Sequence, residues 1–340
     1  MRVLHVANFA YRYHGGSFYN TDRKISAGFV RNGHFVYEFS LRDMARMSNI
    51  FRTKYIGTRW AEKEILRLCE KIEPDLVLLG HAQMLTSDTL KKIKERWPTT
   101  KIALWYVDAL FYEEKTEYMK KFAPYLDAIF ATTGGEYLKK LVPLVTRAYF
   151  PNVVESSIET SENFKKQQFK HDLIFCGSIG DDLDRQKFLE EVRFGLPDVS
   201  LSFNGVFGQP TINGITYLRA LSEARMGLNY SRRNDVCLYS SDRIAQLTGH
   251  GLLAFSPRIP DFDLIYKEDE LGYFDSTSEL IDLIRYYANN PEEAEKVAQA
   301  GWQRTHQSCN TERVTRFMEE VIFNRPYSES YEWLPHVFKG

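Results

Sequence analysis

Ser240-Ser241-Asp242-Arg243 is the stretch of this 340-residue chain whose residue types most directly suggest chemistry. Ser and Asp are favoured at helix starts because their side chains accept from free backbone N–H groups. Ile244, Leu247 and Thr248 follow at helical spacing, so a short helix is predicted from about Asp242, ended by Gly249 and Gly251. Leu252 to Phe255 then reads as a buried strand. A hydroxyl-lined helix start presents backbone N–H groups and a positive dipole end to an anion, and a guanidinium such as Arg243 can clamp it. The anticipated chemistry is phosphate binding; the plainer alternative is a capped helix with a surface arginine.

Strands and helices alternate along the whole chain, and they must position such a site. Residues 2–8 read as a strand, followed by a loop with His14-Gly15-Gly16, a helix from Thr21 and a strand over 34–40. Residues 42–58 read as polar and irregular. Helices are expected at 60–72, 87–97 and 113–122, and strands at 75–79, 101–107 and 127–131. Residues 155–170 are polar and aperiodic and read as a linker. A second series of strands and helices begins at His171. The fold class is therefore α/β, with two Rossmann-like domains, 1–154 and 171–323, facing across a cleft. A tail, 324–340, is expected to pack back toward the first domain, and the chain's last helix to return to that domain.

In parallel sheets ligands lie outside the carboxyl ends of the strands. That rule selects His14, Gly15, Gly16, His81, Asp108, Gly134 and Gly135 in the first half, and Gly177, Ser178, Asn229, Tyr230 and Ser231 in the second. Asp108 is the first candidate for a general base and His81 the second, since each ends a buried strand. Either is otherwise a polar residue finishing a strand. His14-Gly15-Gly16 would let backbone approach a phosphate or an acceptor, or is a flexible turn.

Composition narrows the classes. Lys plus Arg is 44 against 45 for Asp plus Glu, a net charge of −1 that argues against binding nucleic acid through bulk charge. Hydrophobic residues at 44% and charged residues at 26% are ordinary for a globular protein. No apolar run is long enough to span a membrane, and the chain starts with a strand rather than a signal peptide. The scattered Cys69, Cys176, Cys237 and Cys309 read as reduced thiols in a cytoplasmic protein. GxGxxG, the P-loop pattern, HExxH and GxSxG are all missing. A nicotinamide cofactor, a standard nucleotide triphosphatase and a bound metal are therefore not expected.

Five segments carry a resemblance. They are Phe175-Cys-Gly-Ser178, Leu218 to Ser231, Ser241 to Leu253 and Glu268 to Asp275, followed by Glu279 to Arg304 with Asn290-Pro-Glu-Glu. In this order the second half resembles the carboxyl-terminal domain of two-Rossmann (GT-B) glycosyltransferases, especially the CgeB-like bacterial group. The resemblance implies a metal-independent glycosyltransferase using a nucleotide-diphosphate-sugar donor, with a glycan or glycolipid acceptor, in cell-surface polysaccharide or lipopolysaccharide synthesis. It implies that Ser240, Ser241, Asp242 and Arg243 meet the donor diphosphate. It also implies donor contacts from Gly177, Ser178, Asn229, Tyr230 and Ser231, with the acceptor and base in the first half. Many members carry Glu three residues after the arginine, where this chain has Gln246, which can still donate and accept but carries no charge. A cytoplasmic location follows, with room for peripheral contact at the inner membrane. A sugar-nucleotide 2-epimerase and a non-catalytic nucleotide-sugar-binding protein are the competing readings.

Overall fold

A computed structural model describes all 340 residues. They fall into two compact units, Met1–Pro151 with Thr311–Gly340, and Asn152–Asn310.

The first unit runs β1 (Arg2–Ala7), α1 (Thr21–Arg31), β2 (Phe35–Ser40), α2 (Leu41–Met47), α3 (Lys54–Ile72), β3 (Leu76–Gly80), α4 (Ser87–Arg96), β4 (Lys101–Tyr106), α5 (Glu113–Phe122), β5 (Ala128–Ala131), α6 (Gly135–Lys140) and β6 (Thr146–Tyr149). β3 and β4 are near-continuous apolar runs because helices cover both faces of a parallel sheet. β2 lies at the sheet edge and leaves Phe35 and Tyr37 exposed. The segment expected to be irregular, 42–58, is instead α2 and the first turn of α3. Asn49 explains the difference. Its Nδ2 donates to the Ala45 and Thr53 carbonyls, both at 2.9 Å, and its Oδ1 accepts from Thr53 N, so one side chain builds the turn between two helices.

The second unit runs β7 (His171–Cys176), α7 (Leu183–Gly195), β8 (Leu201–Asn204), α8 (Gly214–Ser222), β9 (Ala224–Leu228), α9 (Arg243–Gly249), β10 (Leu253–Pro257), β11 (Gly272–Phe274), α10 (Thr277–Asn289) and α11 (Pro291–Ser308). Its sheet is parallel, in the order β11-β10-β9-β7-β8. Residues 155–170, expected as a linker, pack inside this unit. Asn163 donates to the Leu221 and Ala224 carbonyls at 2.8 Å, and Phe164 meets Trp302 at 5.5 Å between ring centroids.

α12 (Thr311–Ile322) and β12 (Val337–Phe338) complete the chain. The boundary drawn at 323 falls at Asn310, and α12 packs in the first unit, as expected of the last helix. Asn32 donates to the Glu312 carbonyl and Thr315 Oγ1, and His34 pairs with Glu319 at 2.7 Å. A Cβ at Gly28 would lie 2.3 Å from the Thr311 carbonyl, so glycine permits this close crossing. In the tail, β12 joins the sheet antiparallel to β6, giving the order β12-β6-β5-β4-β3-β1-β2.

Candidate functional site

In the second unit β7 and β9 are neighbours, yet the chain leaves β7 for β8 on one side and returns to β9 on the other. Such a reversal opens a crevice at the strands' carboxyl ends. Gly177 and Ser178 follow β7 there, Asn229, Tyr230 and Ser231 follow β9, and Arg243 opens α9.

The guanidinium of Arg243 lies over the Phe175 ring, 4.8 Å from its centroid. Its Nε donates to the Cys176 carbonyl at 2.7 Å and its Nη1 to the Tyr230 carbonyl at 3.4 Å. Arg185, from the first turn of α7, comes to the same place. It sits 5.4 Å from the Phe175 centroid and donates to the Ser178 and Tyr230 carbonyls, both at 2.9 Å. Both arginines are buried, at 8% and 6% exposure, and neither forms an ion pair. Burial, and then the neighbouring Arg243 charge, lowers Arg185 to about 10, so it stays protonated at neutral pH. Two buried cations held by neutral carbonyls and the Phe175 ring, with the Asp182 charge favouring Arg185, are electrostatically unfavourable, and an anion beside them relieves that cost.

Gly177 makes the approach possible. A Cβ there would lie 2.7 Å from Arg243 Nη2 and 3.3 Å from Arg185 Nη2. Gly177→Ala is therefore expected to displace a flexible guanidinium rather than backbone. Its melting temperature should stay near that of the parent while titrated nucleotide diphosphate binds more weakly; tight binding by a folded Gly177→Ala protein would show that the arginine pair is not the anion site.

The hydroxyls near Arg243 have other work. Ser240 is buried, accepts from Asn229 Nδ2 at 3.0 Å and donates to the Ser241 carbonyl. Asn229 is fully buried and also reaches Ser256. Ser231 Oγ accepts from Ser241 N at 3.0 Å. These residues brace the crevice from beneath. The Tyr230 ring is likewise committed, stacked on Phe188 at 3.7 Å. α9 starts next to Asp242, as its residue types predict, but without the expected side-chain cap; it begins at Arg243 and spans only seven residues. Any anion held here depends on guanidinium groups far more than on a helix dipole. Gln246 is 5% exposed, accepts from Tyr217 Oη at 2.5 Å and donates to Asp242 at 3.2 Å. A glutamate could not donate to Asp242, and its charge would oppose that carboxylate, which gives glutamine a physical reason at this position.

The first unit has its own reversal between β1 and β3. His81, just beyond β3, stands there with φ +51°, and Asp22 is in the first turn of α1. His81 Nδ1 lies 3.6 Å from Asp22 Oδ1, an ion-pair contact longer than a hydrogen bond. Burial disfavours the imidazolium, but Asp22 and the charge of Asp108 outweigh it and hold His81 above its ordinary value. Trp105 packs edge-on against His81 at 5.3 Å and donates its Nε1–H to His5, which is bonded in turn to Ser26. His5 is fully buried, and desolvation lowers it to about 4, so it is neutral and able to accept from Trp105. A Cβ on Gly80 would strike the Trp105 indole, so glycine lets this ring support the His81 backbone.

Asp108 is exposed beyond β4. Its charge acts on His81, Tyr106 and Tyr118, which places these groups in one neighbourhood. Burial first, and then such charges, raises both tyrosines. Arg42 Nε, His81 Nδ1, Tyr106 Oη and Tyr118 Oη are buried without hydrogen-bond partners. Unsatisfied interior groups of this kind are where the hydroxyls of a ligand can bond. His14 and Gly15 lie in an exposed turn, with φ of +50° and +86°, and Gly16 follows them; Gly134 and Gly135 lead into α6. Sequence reasoning missed Asp22 and Arg185 because each reads as an ordinary first-turn helix residue.

Residues 185–320 match the glycosyl transferase-like family model. The chain has the two-domain fold of solved GT-B glycosyltransferases. Sucrose-phosphate synthase from Thermosynechococcus elongatus is similar to this chain at 9% identity and TM-score 0.63, over 95% of this chain and 99% of that one. A glycosyltransferase from Rickettsia africae is similar at 10% identity and TM-score 0.61, over 95% and 98%. Anabaena HepE, solved with UDP-glucose, is similar at 11% and 0.58, over 95% and 100%. No curated protein sequence matches this chain. No helix of it is long and apolar enough to cross a membrane.

Proposed function

We propose that this protein is a glycosyltransferase that moves a sugar from a nucleoside-diphosphate sugar to a hydroxyl of a glycan or lipid-linked acceptor in bacterial cell-surface polysaccharide synthesis, as a member of the CgeB-like group. The carrying observation is the unpaired buried couple Arg185 and Arg243 at the β7–β9 crevice. A diphosphate supplies the missing negative charge and acceptors for guanidinium N–H groups. Since HepE is solved with UDP and UDP-glucose, uridine derivatives are the first donors to test. The second unit holds the donor, and the first presents the acceptor among His81, Tyr106, Tyr118 and Asp108. His81 takes the proton of the acceptor hydroxyl, with Asp22 orienting the ring, and the diphosphate leaves with the electron pair of the broken glycosidic bond. No residue of this scheme requires a metal.

Product analysis with UDP-, GDP-, ADP- and CMP-sugars tests the reading. Transfer or donor hydrolysis supports it, an isomerised sugar makes the protein an epimerase, and saturable binding without turnover makes it a binding protein. Asp108→Asn separates the two base candidates. With His81 as base, removing the Asp108 charge lowers the His81 pKa and shifts the acid limb of the rate profile to lower pH. A fall in turnover of about 10²–10⁴-fold with donor binding intact would instead make Asp108 the base.

A further inference from the structure

Six of the eighteen large exposed apolar side chains of the whole chain lie between Met47 and Trp60, at the turn joining α2 to α3. Ile50 is 89% exposed, Tyr55 78%, and Met47 and Phe51 73% each. This is a built surface and no frayed loop. Asn49 bonds both flanks of the turn, Arg52 holds a left-handed φ of +49°, and Thr53 caps α3 by accepting from Tyr55 N. Gly57, where a Cβ would strike the Ala45 carbonyl, lets the helices touch. The architecture holds its apolar residues outward at a conformational cost, so the exposure calls for a ligand.

The charge is equally one-sided. Between residues 42 and 60 the chain has five cations and one carboxylate, Asp43, within a protein of net charge −1. Asp43 is buried, accepting from Tyr11 N and Ser40. Arg52 and Arg59 are exposed and form no ion pair, and the Lys54 ammonium rests 5.1 Å from the Tyr55 ring. A cavity of about 690 Å³ lined by Arg12, Arg46, Arg52 and Met47 opens beside the turn. Apolar and aromatic tips interleaved with Arg52, Lys54 and Arg59, none of them in an ion pair, match an anionic lipid surface, where the tips enter the acyl boundary and the cations meet phosphate headgroups.

We infer that the α2–α3 turn docks this protein onto an anionic bilayer, Ile50 and Phe51 inserting and Arg52, Lys54 and Arg59 binding headgroup phosphates. This inference does not depend on the donor assignment, because lipid binding is read without turnover.

The test is co-sedimentation of the full chain with vesicles of phosphatidylcholine alone and of phosphatidylcholine with about a third phosphatidylglycerol. Binding is expected to the anionic vesicles only and to weaken in high salt. Arg52→Ser and Lys54→Ser should each weaken it about fivefold, the effect of one cation near such a surface. Ile50→Ser with Phe51→Ser should weaken it about tenfold or more, while donor affinity and melting temperature are unchanged because both side chains are exposed. Equal binding to neutral vesicles, binding by the serine variants at the parent level, or no sedimentation with either vesicle would overturn the inference. So would a parent dimer in light scattering that the Ile50→Ser, Phe51→Ser protein loses, since the surface would then belong to a second copy of the chain.

Discussion

His81→Asn is expected to lower turnover about 10²–10⁴-fold, the scale of losing a general base, while leaving donor affinity unchanged. Asparagine keeps a polar side chain beside Asp22 but cannot accept a proton at neutral pH. The pH dependence gives the sharper signature. His81 must be neutral to act, and Asp22 and Asp108 hold its pKa above the ordinary value. kcat/KM should therefore fall as pH drops through that raised pKa. Asp22→Asn removes the carboxylate 3.6 Å away, so the imidazole loses its proton more easily and the acid limb moves to lower pH. A purely structural Asp22 would instead lower melting temperature and leave the limb in place. Full turnover by folded His81→Asn would end the assignment and pass the role to Asp108 or to a mechanism without a protein base.

Arg243→Ala is expected to weaken nucleotide-sugar binding by about 1.5–3 kcal/mol, the range for a charge-assisted hydrogen bond, with Arg185→Ala in the same range. Arg243→Lys should recover only part, since an ammonium cannot reproduce the fork or lie flat over Phe175. The two effects should not add, because both guanidiniums share the Tyr230 carbonyl and repel each other. Without ligand, removing one arginine should also relieve that repulsion, so either alanine protein should lose little stability while losing affinity. Calorimetry with UDP and UDP-glucose, beside thermal melting, reads both. Unchanged affinity in Arg243→Ala would refute the diphosphate assignment.

The alternation of short apolar runs with helical periods was enough to establish two α/β domains, since buried parallel strands and amphipathic helices leave periodic signals in any chain. Residues 75–79 and 101–107 read as strands and form β3 and β4. Arg243 stood out because a cation at a hydroxyl-rich helix start can hold an anion, although the same residues also read as a capped helix with a surface arginine. The boundaries did not follow from composition. Asn163 and Phe164 look like linker residues and are anchors, because their partners Leu221, Ala224 and Trp302 are distant in sequence. α12 returns to the first domain as expected, but the contacts that hold it there, from Gly28, Asn32 and His34, are not legible in its own periodicity. The same limit applies to chemistry. Ser240 and Arg185 are indistinguishable in the sequence from a ligand contact and a surface helix residue. The folded chain exchanges those roles: Ser240 turns inward to Asn229, and Arg185 reaches the carbonyls of Ser178 and Tyr230. A residue's type limits which bonds it can form, but its partners are chosen by strand order, which brings the ends of β7 and β9 together in one unit and His81 beside Asp22 in the other.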